Sequence, residues 1–126
     1  MHAKSGVIKE KLVQHGQEKS AITNYIVEKQ WKKSYLVDDV QKEIDFSQIR
    51  LVLETGRMHQ IRIHLAKQNC PIAGDDQHGN FKINKLLKKH FKIKRFLLAS
   101  VRLTIPINEK DMVFEIENPF LEYEIV

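Results

Sequence analysis

The stretch that decides the reading is Leu53–Gly79, LETGRMHQIRIHLAKQNCPIAGDDQHG. Residues 57–69 carry helical periodicity: Met58, Ile61 and Leu65 recur at spacings of three and four and predict one apolar face. Thr55-Gly56 breaks the chain before it, and Asn69 and Pro71 end it, since proline disfavours a helical conformation in the preceding residue. The first turn of this helix is basic. A helix N-terminus already bears partial positive charge and normally attracts acids, so Arg57, His59 and Arg62 there suit a segment that meets an anion.

Outward from this stretch, Ile22–Trp31 alternates and is rich in β-branched and aromatic residues, which predicts a strand. Residues 34–40 and 47–55 read as two more strands, joined by a charged turn around Gln41–Asp45. Residues 1–20 read as a polar arm with one short strand near Val7-Ile8. After the glycine-bounded loop 71–80, residues 84–92 predict a second amphipathic helix, with Leu86, Leu87, His90 and Phe91 inward and four lysines outward. Residues 95–107 and 112–120 close the chain as strands. The fold class is α+β: a mostly antiparallel, mixed sheet carrying two helices. Residues 1–126 form a single domain, with no repeat, low-complexity tract or linker.

The composition narrows the function classes. Net charge is +5, with a pI near 9.3, so the surface favours a polyanion, most simply nucleic acid. One cysteine, Cys70, allows no internal disulfide and fits a reducing compartment. No apolar run reaches the roughly 18 residues of a membrane span, and residues 1–11 lack a signal peptide's apolar core. The expectation is a cytoplasmic protein without membrane attachment.

Few chemistries fit the residues. His59 and His64 are five apart, whereas a helical zinc pair needs spacing i, i+4, so no metal site is expected. No nucleophile elbow and no glycine-rich phosphate loop occurs, and Asp75-Asp76 reads as a turn closed by Asx hydrogen bonds. What remains is an anion site. Backbone N–H groups at a helix start and the fork of Arg57 both suit phosphate, while Arg62, one turn in, could hold a carboxylate.

Glu54–Gly79 strongly resembles the signature of the RluA-type RNA pseudouridine synthases: Thr-Gly-Arg, a His-Gln-Ile-Arg-x-His helix, then a Pro-Ile-x-Gly-Asp loop ending in His-Gly. The strands before and after are similar too, so the resemblance covers about residues 19–118. His78, Gly79, Lys82, Asn84 and Phe91 resemble the TruC-like, tRNA-modifying branch. The resemblance implies the C-terminal part of a catalytic domain that isomerises uridine to pseudouridine without a cofactor. The RNA partner it implies is tRNA, with ribosomal RNA the other choice.

The same resemblance implies a nucleophilic aspartate in a His-Arg-Leu-Asp type motif, upstream of everything matched. No Arg-Leu-Asp occurs in this chain, and its six aspartates (38, 39, 45, 75, 76 and 111) fall elsewhere. The expected partner is therefore the N-terminal half of the same enzyme, and the chain alone is expected to be inactive. Arg62 is implied to pair with that missing aspartate and keep it ionised. Arg57, His59 and Gln60 are implied to line the RNA side and the pocket. The competing reading is a non-catalytic, stand-alone RNA-binding module. Departures from the family pattern are Ala99-Ser100, where it often has His-Ala, and Asn69-Cys70, where it has Gly-His.

Overall fold

The computed structural model describes residues 4–117 and 119. Strands β1 (Ser5–Ile8), β2 (Leu12–Gln14) and β3 (Gln17–Lys19) lead into the long β4 (Thr23–Val37) and β5 (Val40–Leu53). Helices α1 (Gln60–Lys67) and α2 (Phe81–Phe91) follow, then β6 (Arg102–Ile107) and β7 (Lys110–Glu115). The sheets are β1-β4-β5, β2-β3 and β6-β7, every pairing antiparallel. This is the α+β arrangement expected, divided among the described residues into three small sheets.

The predicted strand at 22–31 does not stop there. β4 continues to Val37 and turns at Asp38-Asp39, so the charged segment Gln41–Asp45 is strand and not turn. Both turn residues have positive φ (50° and 63°), the geometry of a two-residue hairpin whose twist matches its strands. Aspartate tolerates that region because its short side chain bonds locally to the backbone. The arm likewise holds more structure than expected: His15-Gly16 closes β2 onto β3 with positive φ at both residues.

Apolar side chains on one hairpin face direct the core. Trp31 stands opposite Phe46, and Lys33 opposite Ile44, on one face of the β4-β5 hairpin. Helix α2 lies against Ile44 and Phe46, with Leu87 and Ile93 buried at the centre and Leu86, Phe91, Ala73 and Leu97 around them. Phe91 meets Phe46 edge-on at 5.6 Å, an arrangement aromatic quadrupoles favour. The expected inward set of α2 is observed, and Lys85, Lys88, Lys89 and Lys92 are exposed. Asn80 caps α2 by accepting from the Ile83 N–H at 3.0 Å.

Helix α1 departs from its expected face. Met58 precedes the helix and is 64% exposed, and the residues buried are Gln60, His64 and Leu65. Periodicity over apolar residues missed this because the inward face is largely polar. The helix ends as a Schellman motif: Asn69 is left-handed, Cys70 N–H returns to Leu65 O at 3.0 Å, and Asn69 N–H to Ala66 O at 3.1 Å.

At the C-terminal end, residues 95–101 are not strand, and pairing begins at Arg102. The expected strand 112–120 is β7 as far as Glu115; Asn118 and residues 120–126 lie outside the described residues. No helix among the described residues is long and apolar enough to cross a membrane.

Candidate nucleic-acid site around Arg62

Arg62 projects from the first turn of α1 and meets Asp75 side-on. Its Nε donates to Oδ2 at 3.0 Å and its Nη2 to Oδ1 at 2.6 Å. Asp75 is 1% exposed, while the Arg62 side chain remains 18% exposed. Asp75 Oδ1 also accepts the backbone N–H groups of Gln77 (3.1 Å) and His78 (3.0 Å), the Asx turn expected for this acid. The Arg62 hydrogen bonds hold the Asp75 carboxyl down at about 2, against the opposing effect of burial; the His78 and Gln77 N–H groups and the Arg62 charge add to the lowering. Arg62 is raised in turn, first by its hydrogen bond to Asp75. Its guanidinium lies 4.8 Å from the centre of the Phe96 ring, a cation–π contact that fixes its plane.

The loop that carries Asp75 is itself held. Gly74 has φ +82°, and a Cβ there would collide with the Arg95 carbonyl, so only glycine brings the chain this close. Asn84 of α2 reaches back to the loop. Its Oδ1 accepts the Gly74 N–H at 3.1 Å, and its Nδ2 donates to Asp75 O at 2.7 Å.

Behind this pair runs a buried polar network. His64, wholly buried, has Nε2 at 2.8 Å from Glu10 O and Nδ1 at 2.9 Å from the Thr23 hydroxyl. A carbonyl only accepts, so Nε2 carries the proton, and in the neutral ring Nδ1 accepts from Thr23. Gln60 Nε2 then donates to Thr23 Oγ1 at 2.9 Å and to Ile22 O at 3.0 Å. Gln60 Oε1 accepts from the Thr55 hydroxyl at 2.7 Å and from the Arg57 N–H at 3.1 Å. Every bond points one way, and the chain of bonds ends at the backbone of Arg57.

These contacts place each expected residue. Arg62 faces Asp75 of its own chain along the Nε–Nη2 edge; the Nη1–Nη2 edge holds no acid among the described residues. Gln60, expected toward the RNA, is 2% exposed, and its side-chain amide is engaged internally. Arg57 anchors its Nε on Ser20 O at 2.8 Å and stays partly exposed. His59 is left-handed (φ 55°), and its Nδ1 lies 3.0 Å from His78 Nε2. Among the described residues no three histidine, cysteine or acidic side chains gather as metal ligands. Asp75 is the partner of Arg62 that sequence reasoning missed: 13 positions separate the two, and the reversal at Gly74 brings them together.

No family model matches the chain. It is 39% identical over 66 residues to tRNA pseudouridine synthase C of Vibrio vulnificus, covering 51% of this chain and 27% of that protein. It is 35% identical over 85 residues to ribosomal large subunit pseudouridine synthase D of Blochmanniella floridana, covering 67% of this chain and 23% of that protein. The chain thus spans about a quarter of the length of the relatives it matches. Among solved structures, Human RNA Pseudouridylate Synthase Domain Containing 1 superimposes with a TM-score of 0.71 at 20% identity, over 96% of this chain and 51% of that one. In sequence the chain is similar to the pseudouridine synthases, and its fold is that of part of such a domain.

Proposed function

We propose that this chain forms the Arg62 side of the active site of an RNA pseudouridine synthase acting on tRNA. The observation that carries this reading is the Arg62–Asp75 pair: a guanidinium held along one edge by Asp75 and on one face by Phe96, with its other edge free of acids among the described residues. Isomerising uridine breaks the N1–C1′ bond and forms C5–C1′; the C5 proton then leaves to solvent and N1 takes one up. The chemistry needs an ionised nucleophile at the base or sugar. Asp75 cannot be that group, because it is buried and its oxygens are already engaged by Arg62, Gln77 and His78. Its work is to orient Arg62, whose free edge is suited to hold a second carboxylate, supplied by the upstream part of the domain, in its charged form. Arg57 and the lysines of α2 supply positive charge for the RNA backbone. A cytoplasmic location belongs to this reading.

The test is tritium release from tRNA labelled at uridine C5, using the complete polypeptide that contains this sequence. Release is expected, and loss of it in Arg62→Lys would place Arg62 in the site. Ribosomal RNA as the better substrate would move the reading to that branch. The second reading, an RNA-binding module without catalysis, is favoured by one observation: among the described residues the acid hydrogen-bonded to Arg62 is Asp75, which is not free to attack. RNA binding without tritium release from either RNA would establish it.

A further inference from the structure

Phe81 is the most exposed of the large apolar side chains among the described residues, at 81%. It opens α2, directly after the Asn80 cap. At about 100° per residue, Lys85 and Lys88 fall within about 40° of Phe81 around the helix, whereas Leu86 and His90 lie about 140° or more away. The ring therefore heads the lysine stripe and stands outside the face that packs on Ile44 and Phe46. No acid occurs from Gln77 to Asn108, and among the described residues no acid pairs with Lys82, Lys85, Lys88 or Lys89. The first turn of α2 is also fixed in place. Asn84 bonds both sides of the Gly74–Asp75 peptide, and His78, three residues before Phe81, meets His59 at the start of α1. An aromatic ring left in water beside unpaired cations is thus held in the same helical turn as the residue that grips the Asp75 loop.

We propose that Phe81 is a stacking platform for an unpaired base of the RNA, with Lys85 and Lys88 holding phosphates of the same strand; this deepens, and rests on, the RNA reading given under Proposed function. A flat ring and a line of cations are the two parts by which single strands are held without regard to sequence, because every base has a π-face and every nucleotide a phosphate. The charge selects a polyanion, and the ring selects a polyanion that carries bases. A duplex offers the ring nothing, since its bases already stack on one another, so the occupant is a single-stranded loop or end. Lysine suits the phosphate role here: a flexible stem carries a point charge to a strand whose backbone is not fixed. Because Asn84 ties the first turn of α2 to the Asp75 loop, the stacked base belongs to a nucleotide close in the strand to the one that meets Arg62.

The test is fluorescence anisotropy of a labelled single-stranded oligouridylate titrated with the 126-residue chain across a salt series. Phe81→Ala should weaken binding by about tenfold or more, the scale of losing one base–aromatic stack. Its slope against log salt should equal that of the wild type, because stacking releases no counterion. Lys85→Ala should do the reverse and lower the slope by about 0.7, one phosphate contact. Phe81→Trp should keep the affinity, and the emission of the new indole should be quenched when the strand binds. Leu36→Ala, at a residue 62% exposed near the hairpin tip, should change neither affinity nor slope. Thermal unfolding of Phe81→Ala should match the wild type, since so exposed a ring supports little packing. Unchanged affinity in Phe81→Ala, or indole emission indifferent to the strand, would overturn the proposal. So would an equal loss of affinity for a duplex of the same length. If these results hold but the complete polypeptide releases no tritium from labelled tRNA, the platform stands and the catalytic reading falls. If tritium is released but Phe81→Ala binds as the wild type does, the reverse is true.

Discussion

Arg62 and Asp75 share two parallel hydrogen bonds, and the pair is lopsided in burial: the acid is sealed while the base reaches the surface. The asymmetry assigns roles. A sealed carboxylate cannot react with a large substrate, but it can hold a partly exposed cation rigid at low conformational cost.

The pair also sets an acid limit on stability. The Asp75 carboxyl falls from 3.8 to about 2 on folding, so its contribution, of about 2 kcal/mol, is complete above pH 4 and is lost as pH falls through 2. Asp75→Asn should lose at least that much at pH 7, because it leaves a cation facing a neutral group. Urea unfolding at pH 7 and pH 3 checks this: the gap between wild type and variant narrows at the lower pH.

In the complete polypeptide that contains this sequence, Arg62→Lys keeps the charge and removes the fork. Activity should fall by about 10²-fold, the scale of losing one preorganised electrostatic partner, with little change in RNA affinity. Single-turnover tritium release and filter binding separate the two effects. Equal losses in both would make Arg62 an RNA contact only.

Gln60→Leu is nearly isosteric but strands the Thr55 hydroxyl and the Arg57 N–H and removes the donor to Thr23. Each buried polar group left without a partner costs about 1–3 kcal/mol, so the chain should lose about 3 kcal/mol by thermal or urea unfolding. Gln60→Glu should be worse, since a carboxylate cannot donate to Ile22 O.

RNA binding by the chain alone should weaken linearly with log salt, with a slope of about 0.7 per phosphate contacted. Arg57→Ala should lower that slope by roughly one contact, read by filter binding across a salt series. Binding that ignores salt would leave the basic surface without a role.

At the β4-β5 turn, Asp39 sits at φ 63°. Asp39→Gly should stabilise the chain by about 0.5–1 kcal/mol, because glycine enters that region without a Cβ penalty. Thermal unfolding reads the gain directly, and no change in tRNA binding is expected.

Much of this architecture is legible in the sequence, for reasons that differ from place to place. The lysine and leucine alternation of α2 is strong because one face meets a sheet and the other meets water. The Arg62 helix is legible in its position but not in its face, because Gln60 and His64 are held inside by hydrogen bonds that no hydrophobic count detects. The turns at His15-Gly16 and Asp38-Asp39 were hidden by flanking charge, where propensity favours loops and strand pairing overrides it. The Asp75 partnership lies beyond any local pattern, since its 13-residue separation is closed by tertiary geometry alone.

Asn84 grips the backbone on both sides of the Gly74–Asp75 peptide, so residues 75–84 form a closed ring with one end on a helix. Gly79 tightens that ring: its N–H bonds to Asp75 O at 3.0 Å, and any added Cβ would strike the same carbonyl. A ring so bound has one permissible length. An insertion or deletion between Asp76 and Ile83 would change the distance between the first turn of α2 and Asp75, and Arg62 would lose its aim although no residue at the site had changed. The tip at Asp38-Asp39, closed only on itself, should accept extra residues at little cost.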